Sequence, residues 1–207
     1  MEIYYSILLA VSAFWLGACP FSVWIGRWFL GKDIRDYGDG NPGATNVHRA
    51  GGRKSYYLAV FLGLVKGAPF VVLVYKFFGF HEAIVLAVAL SAILGNVFSP
   101  LLRLKGGKSI GVTFSTLFVL PQHDILLTFI IFLLVGFLFI EIDAWIVIFG
   151  AAGSLLYLVA TRGSSWESLF MLCVLAIFVA KHFNELQTVP GLSERLIHWV
   201  QSRRREI

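Results

Sequence analysis

The stretch Gly38–Arg49, GDGNPGATNVHR, is a polar, turn-forming segment between two long apolar runs of the chain. Glycine adopts backbone conformations that other residues avoid, and it lets another molecule approach the main chain closely. Asparagine and aspartate favour turns, and successive exposed backbone N–H groups can bind an anion. A plain interhelical turn, with Thr45 or Asn46 capping the next helix, needs only a few residues. The length of this segment therefore favours a binding loop.

The composition is typical of an integral membrane protein. Of the 207 residues, 58% are hydrophobic and 14% are charged, and the mean hydropathy is +0.80. A soluble domain has roughly 25% charged residues, so this chain has too few charges to cover a water-facing surface. The two cysteines, Cys19 and Cys173, lie in apolar runs and predict neither a disulfide nor a metal site. No cofactor is indicated.

The apolar runs predict an all-α bundle of about seven transmembrane helices, which forms a single integral membrane domain over residues 1–207. A spanning helix needs about 20 mostly apolar residues. The fourth and seventh runs are short, so we expect them to extend into their polar flanks, to tilt, or to enter only part of the bilayer. The predicted spans are Tyr4–Leu30, Tyr56–Phe78, Ala83–Leu102, Ile110–Leu120, Ile125–Ile140, Ala144–Thr161 and Ser168–Ala180.

Lysine and arginine are concentrated in alternate connections, and this bias predicts the orientation. Seven spans place all three basic segments in the cytoplasm, with the N-terminus outside. The basic residues of these segments thereby line one membrane face, which favours anionic lipid headgroups over nucleic acid as the partner of a chain with a net charge of +5. The basic residues of the three segments are Lys32, Arg35, Arg49, Arg53 and Lys54, then Arg103, Lys105 and Lys108, and finally Lys181, Arg195, Arg203, Arg204 and Arg205, whereas the other connections hold little beyond Lys76 and Arg162.

A second polar segment, GNVFSPLLRLKGGKS at residues 95–109, lies on the same predicted face. Its Gly106 and Gly107 stand between Lys105 and Lys108, so it offers two cations on a flexible backbone. A P-loop needs a longer motif that follows a strand, so this segment is not one. A simple turn on the cytoplasmic side, where lysine and arginine are enriched, explains the lysines but not the paired glycines.

A third polar segment, KHFNELQTVPGLSER at residues 181–195, follows the last predicted span. His182 stands at its start, and an imidazole there is suited to proton transfer. If the three segments converge, they make a site for a phosphorylated, water-soluble molecule beside an apolar bundle suited to an acyl chain. Two substrates of such different polarity suggest lipid synthesis.

These segments resemble the motifs of the bacterial membrane glycerol-3-phosphate acyltransferases that use acyl-phosphate as donor. The first segment is similar to GSGNPGATNVLR, and the second to GHxFSPFLxFKGGKG. The stretch GLVKGAPFV around Lys66 resembles the family's DxxKGxxPV pattern. The third motif, HRxNI with a later glycine and glutamate, is matched loosely by HFNEL, Gly191 and Glu194. Motif order, spacing and length agree across nearly the whole chain.

The resemblance implies acyl transfer from acyl-phosphate to the 1-hydroxyl of glycerol-3-phosphate, which forms lysophosphatidate in phospholipid biosynthesis. It implies a multi-pass protein of the bacterial plasma membrane with its active site on the cytoplasmic face. The soluble enzyme that produces acyl-phosphate is implied as a further partner. Carried over by position, the catalytic residues are His182, Arg49, Asp39 and Asn46, and the substrate-binding residues are Asn41, Gly43, Thr45, Ser99, Lys105, Gly106, Gly107 and Lys108.

Within this implied site, His182 is expected to act as the general base. The loop N–H groups, with Arg49 and Lys108, are expected to stabilise developing negative charge. The chain departs from the family pattern at five positions. Asp39 stands where the family has Ser, and a carboxylate there repels phosphate unless Arg49, a lysine or a bound cation neutralises it. The other departures are Gly63 for Asp, Asn96 for His, Ser109 for Gly, and Glu185 for Asn.

Two alternatives to this reaction follow from the residues. The departures at Asp39 and Glu185 allow an acyl-phosphate-dependent transferase with a different acceptor. From other classes, a small-solute transporter or a non-catalytic membrane scaffold fits the composition. A transporter is expected to carry polar or broken positions near the bilayer midplane, whereas here Arg27 and Lys66 are the basic residues within predicted spans and the richest polar segments lie at the surface.

Overall fold

The computed structural model of the protein describes residues 2–191 and residue 193, and the elements of these residues are helices. The chain divides into two compact units, Met1–Gln122 and His123–Ile207. The first unit contains seven α-helices within its described residues. They are α1 (Glu2–Ala18), α2 (Phe21–Leu30), α3 (Ala44–Arg49), α4 (Arg53–Val65), α5 (Pro69–Val72), α6 (Glu82–Val97) and α7 (Ile110–Val119).

Three of the predicted spans are interrupted, and in the third, Ala83–Leu102, α6 ends at Val97 before a 3₁₀ turn. The first breaks between α1 and α2, at Pro20, which has no N–H to continue the helical ladder. The second breaks before Pro69, so α4 and α5 are separate and a π-helical stretch, Leu73–Phe77, completes the run. Short 3₁₀ turns at Ile34–Asp36 and Pro100–Leu102 lie in the polar segments.

Close packing between α1 and α6 forms the frame of the first unit. A Cβ added at Gly17 would overlap the carbonyl oxygen of Ala92, and one added at Gly95 would overlap that of Phe14. Glycines at these positions let the two backbones touch, which is the usual way in which membrane helices associate. This contact fixes the end of α6, from which the segment with Gly106 and Gly107 emerges.

The second unit contains α8 (His123–Phe139), α9 (Asp143–Arg162), α10 (Trp166–Lys181) and α11 (Phe183–Leu186). Phe129 of α8 stacks on Phe178 of α10 with ring centroids 6.4 Å apart. At the end of α9, the Arg162 guanidinium lies 2.7 Å from the Asp124 carboxylate and also pairs with Glu167. Opposite charges thus join the first turns of α8 and α10 to the last turn of α9.

The all-helical membrane architecture predicted from the apolar runs is confirmed. Four helical runs are long and apolar enough to cross a membrane, Glu2–Leu30, Arg53–Phe77, Glu82–Leu102 and Asp143–Arg162, and Ile110–Val119 and His123–Phe139 are shorter apolar helices. The count of seven spans, the outside position of the N-terminus and the single domain over residues 1–207 stay predictions. Glu194, Arg195 and Arg203–Arg205, which the sequence places in the third segment and the tail, lie outside the described residues.

Candidate active site

The buried amide of Asn46 organises the first polar segment. Its Nδ2 donates to the Asp39 carboxylate at 3.0 Å and to the Asn41 carbonyl at 2.9 Å, while its Oδ1 accepts a hydrogen bond from Arg49 Nη1 at 3.0 Å. The Asn41 N–H also donates to the Asp39 carboxylate. With only 1% of its surface exposed, Asn46 fixes the loop from inside and presents Asp39 and Arg49 at its surface.

Glycine at position 38 is required by both conformation and space. Its φ is +59°, in the left-handed region that favours glycine, and a Cβ there would overlap the Arg49 guanidinium. The helix that follows, α3, begins after Gly43 in extended backbone, so the helix cap is Gly43 and neither Thr45 nor Asn46. Thr45 is exposed on the first turn of α3.

The second polar segment lies against the end of α6 through its paired glycines. The Gly106 N–H donates to the Val97 carbonyl at 3.1 Å, and the Gly107 N–H donates to the Asn96 carbonyl at 2.9 Å. A Cβ at Gly106 would overlap the Asn96 carbonyl oxygen. These two N–H groups are therefore used within the protein, and the glycines permit close backbone approach, while their predicted substrate-binding roles stay predictions.

An ion pair joins the first and second segments. Lys108 Nζ lies 2.8 Å from Asp39 Oδ2, and Arg49 Nη1 lies 3.7 Å from Asp39 Oδ1. Burial alone raises the pKa of Asp39, but hydrogen bonds from Lys108, the Asn41 N–H and Asn46 outweigh it and lower that pKa to about 2. The carboxylate is thus ionised at neutral pH. It is neutralised by Lys108 and Arg49, which are two of the alternatives that the sequence left open.

A buried lysine supports the second segment from behind. Lys66, 7% exposed, donates to the side-chain oxygen of Asn96 at 2.9 Å and lies over the Phe21 ring. The Asn96 carbonyl in turn accepts the Gly107 N–H. In the sequence, Lys66 is a cation within a predicted span and Asn96 is a departure from the family pattern, and no motif pairs the two. A lysine in an apolar run needs a buried hydrogen-bond acceptor, and this need is the sequence signal from which a polar partner for Lys66 could have been predicted.

Ser99 and Lys105 lie apart from this ion pair. Ser99 is buried, and its hydroxyl donates to the Ala18 carbonyl at the end of α1, 2.5 Å away. Lys105 is exposed and lines a cavity with Arg27, Arg35 and Arg103. The predicted substrate-binding roles of both residues stay predictions.

In the second unit, His182 follows α10 and is held by a glutamate. Its ring is 2% exposed, and Nδ1 lies 2.9 Å from Glu185 Oε2. Nε2 is buried and finds no hydrogen-bond partner among the described residues. A carboxylate on Nδ1 favours the tautomer in which Nδ1 carries the proton and Nε2 is a proton acceptor. The convergence of this segment with the other two stays a prediction.

Comparison with known proteins decides the family. The profile described as Glycerol-3-phosphate acyltransferase matches residues 7–190. The chain belongs to the glycerol-3-phosphate acyltransferase family. It is 35% identical to the glycerol-3-phosphate acyltransferase of Thermus thermophilus, over 92% of this chain and 95% of that protein. It is 30% identical to the enzyme of the same name from Lactococcus lactis subsp. lactis, over 92% of each chain.

Solved structures of this acyltransferase family share the fold. The integral membrane glycerol 3-phosphate acyltransferase PlsY, in its glycerol 3-phosphate form, superposes with a TM-score of 0.78 at 25% identity, over 88% of this chain and 90% of that one. The lysophosphatidic acid form gives a TM-score of 0.76 at 24% identity. The expected acyltransferase of lipid biosynthesis, an integral membrane protein, is thereby confirmed.

Proposed function

We propose that this acyltransferase moves an acyl group from acyl-phosphate to the 1-hydroxyl of glycerol-3-phosphate, forming lysophosphatidate. The observation that carries the proposal is the contact of Asp39 with both Lys108 and Arg49, because it gathers two phosphate-binding cations at one place in a chain of this family. Guanidinium and ammonium groups are the side chains that bind phosphate best.

The reaction needs positioning, proton removal and charge stabilisation. The hydroxyl oxygen attacks the acyl carbon, the new ester C–O bond forms, and the bond from the acyl carbon to the phosphate oxygen breaks as phosphate leaves. Acyl-phosphate is already activated, so no covalent acyl-enzyme is required. Arg49 and Lys108 are the groups we assign to the phosphate and to the negative charge that develops.

We assign the proton to Nε2 of His182. Glu185 holds the other ring nitrogen at 2.9 Å, so the ring is oriented before substrate arrives and its imidazolium form gains a carboxylate partner. A general base of this kind contributes about 10²- to 10⁴-fold to rate. Glu185 stands where the family has asparagine, and its charged carboxylate supports the same role of His182.

Asp39 is the proposed competitor of the substrate for Lys108. A phosphate dianion that binds Lys108 must displace this carboxylate or share the cation with it. This feature favours a second candidate, a transferase whose acceptor bears less negative charge than glycerol-3-phosphate. Arg49 lies 3.7 Å from the same carboxylate and remains the second cation for either acceptor.

The test is an assay of the purified protein in detergent with one acyl chain presented on three donors: acyl-phosphate, acyl-coenzyme A and acyl-carrier protein. We expect labelled glycerol-3-phosphate to become lysophosphatidate with acyl-phosphate alone. Neutral and phosphorylated polyols serve as the acceptor panel. Turnover with another donor contradicts the donor assignment, and preference for a neutral acceptor selects the second candidate.

The cytoplasmic location of the site is part of the same proposal. Acyl-phosphate and glycerol-3-phosphate are both charged, so they reach the site from the compartment where they are made. A soluble enzyme that produces acyl-phosphate is the expected partner, because acyl-phosphate combines an acyl chain with a charged group and is suited to direct transfer at the membrane surface.

A further inference from the structure

A cationic cavity of about 570 Å³ lies in the first unit, beside α2 and the turn that follows α6. It is distinct from the Asp39–Lys108 contact, and Lys105 is the lining residue to which the family resemblance also gives a substrate-binding role. Its volume is within the range of small-ligand pockets, about 300–1,000 Å³. The lining residues are Pro20, Val23, Trp24, Arg27, Arg35, Leu101, Leu102, Arg103 and Lys105.

The cavity carries an excess of positive charge. Four of its lining side chains are cationic, and Asp33 lies against two of them, 2.9 Å from Arg27 and 2.6 Å from Arg35. The hydrogen bond from Arg35, followed by that from Arg27, holds the pKa of Asp33 well below its usual range against the effect of burial. Asp36 also acts electrostatically on Arg35, so Asp33 and Asp36 together offset part of the positive charge of the four cations.

The other two cations, Arg103 and Lys105, are exposed, as Arg27 and Arg35 also are. Neither Arg103 nor Lys105 forms an ion pair with a described residue. Arg103 has a left-handed backbone with φ +52°, a conformation that only a few per cent of non-glycine residues adopt. The turn therefore holds an arginine at the cavity in a conformation that favours glycine.

The rest of the lining is apolar, and part of it belongs to the end of a spanning run. Pro20, Val23 and Trp24 come from the last part of Glu2–Leu30, the first candidate span. Trp24 stacks on Trp28 with ring centroids 5.9 Å apart, and Trp28 is 75% exposed. Tryptophan is enriched where a span meets the headgroup layer. Cations beside an apolar wall match a phosphate joined to a lipid chain.

We propose that this cavity binds the phosphate group of an anionic membrane phospholipid, with the lipid chain along the apolar wall. Basic pockets at the cytoplasmic ends of membrane helices are suited to anionic headgroups. A free phosphate ester offers the same charge but leaves the apolar wall uncovered. The cavity is thus a lipid site beside the transferase site, and its occupancy does not depend on acyl transfer.

The test measures retention of labelled phosphatidylglycerol and phosphatidylcholine by the purified protein in mixed detergent micelles. The cavity variant is Arg27→Gln with Arg103→Asn, since asparagine tolerates the left-handed backbone. The matched control is Arg53→Gln with Lys54→Gln, which removes two exposed cations from the first turn of α4, outside the cavity. We expect roughly tenfold weaker phosphatidylglycerol binding for the cavity variant, unchanged phosphatidylcholine binding, and less than about twofold change for the control.

Two results would overturn the proposal. Equal losses in the cavity variant and the control would show that general surface charge attracts the lipid. Displacement of phosphatidylglycerol by inorganic phosphate or glycerol-3-phosphate, at matched ionic strength, would assign the cavity to a soluble phosphate. A melting curve of each variant in detergent identifies misfolding, and the single variant Arg103→Asn repeats the measurement with the Arg27–Asp33 pair intact.

Discussion

At the scale of single residues, the carboxylate of Asp39 lies against Lys108 and Arg49, the two cations assigned to phosphate. We predict that Asp39→Ser lowers the apparent KM for glycerol-3-phosphate by up to about fivefold, the usual value of a partly exposed ion pair. Steady-state kinetics with acyl-phosphate measure this. Asp36→Ser removes an exposed carboxylate from the same connection and should change nothing. A higher KM in Asp39→Ser would mean that the carboxylate orders the site for substrate.

The same carboxylate predicts a pH dependence of stability. Because its pKa is lowered from 3.8 to about 2, Asp39 stabilises the folded state fully at pH above the unfolded value. That stabilisation is lost as the pH falls through the folded value. The difference in melting temperature between the wild type and Asp39→Asn should therefore be constant from about pH 5 to 8 and shrink only in strong acid. A difference that changes near neutrality would contradict the ionised pair.

Lys108 is expected to act mainly in binding. If it contacts the acceptor phosphate equally in the ground and transition states, Lys108→Ala raises KM and leaves kcat nearly unchanged. The rise in KM should be roughly tenfold or more, as for a hydrogen bond between charged groups. A fall in kcat at constant KM would instead assign Lys108 to the transition state. Arg53→Ala, which removes an exposed cation at the start of α4, is the control.

His182 is expected to act in turnover. His182→Ala should reduce kcat by about two to four orders of magnitude while the protein remains folded in detergent. Glu185→Gln should reduce kcat less, because an amide still reaches Nδ1 but adds no charge to the imidazolium. His123→Ala, at an exposed position in the same unit, is the control. Wild-type kcat in His182→Ala would remove the histidine from the mechanism.

At the scale of helices, glycines decide where backbones touch. Gly95→Ala places a methyl group against the backbone of α1, and relief requires the helices to separate, at a cost of about 1–3 kcal/mol or more. Gly111→Ala, in α7, meets open space and should be neutral or stabilising by about 0.5–1 kcal/mol. Thermal unfolding in detergent measures both. Similar melting temperatures for the two variants would show that α1 and α6 do not pack at Gly95.

At the scale of the whole molecule, the contacts between connections within each unit agree with successive helices that cross the membrane in opposite directions. In the first unit, the connection with Asp39 meets the one with Lys108, while Gln122 donates to Glu82 at 2.6 Å. In the second unit, Gly191 lies against Glu141. The two members of each pair lie in connections that the seven-span topology places on the same side of the membrane.

Cysteine labelling tests on which side of the membrane each connection lies. In a background with Cys19 and Cys173 replaced by alanine, we predict that cysteines at Lys54 and Gly191 react only from the cytoplasm, and one at His81 only from outside. The expectation follows from the concentration of lysine and arginine in alternate connections. Labelling of Lys54 and His81 from the same side would contradict the seven-span topology.

The amino-acid sequence by itself determined the membrane class, the helical fold and the family. These properties depend on composition, apolar run length and contiguous motifs, which are local. Only the tertiary structure decided which donors are occupied and which cations meet. It placed the Gly106 and Gly107 N–H groups on carbonyls of α6, the Asn46 amide inside its loop, and Lys66 on Asn96. Those partners are distant in sequence or depend on side-chain direction, so no local pattern identifies them. The cavity beside Arg27 and Arg103 has the same origin, because its walls come from segments about 70 residues apart in sequence that only the folded first unit brings together.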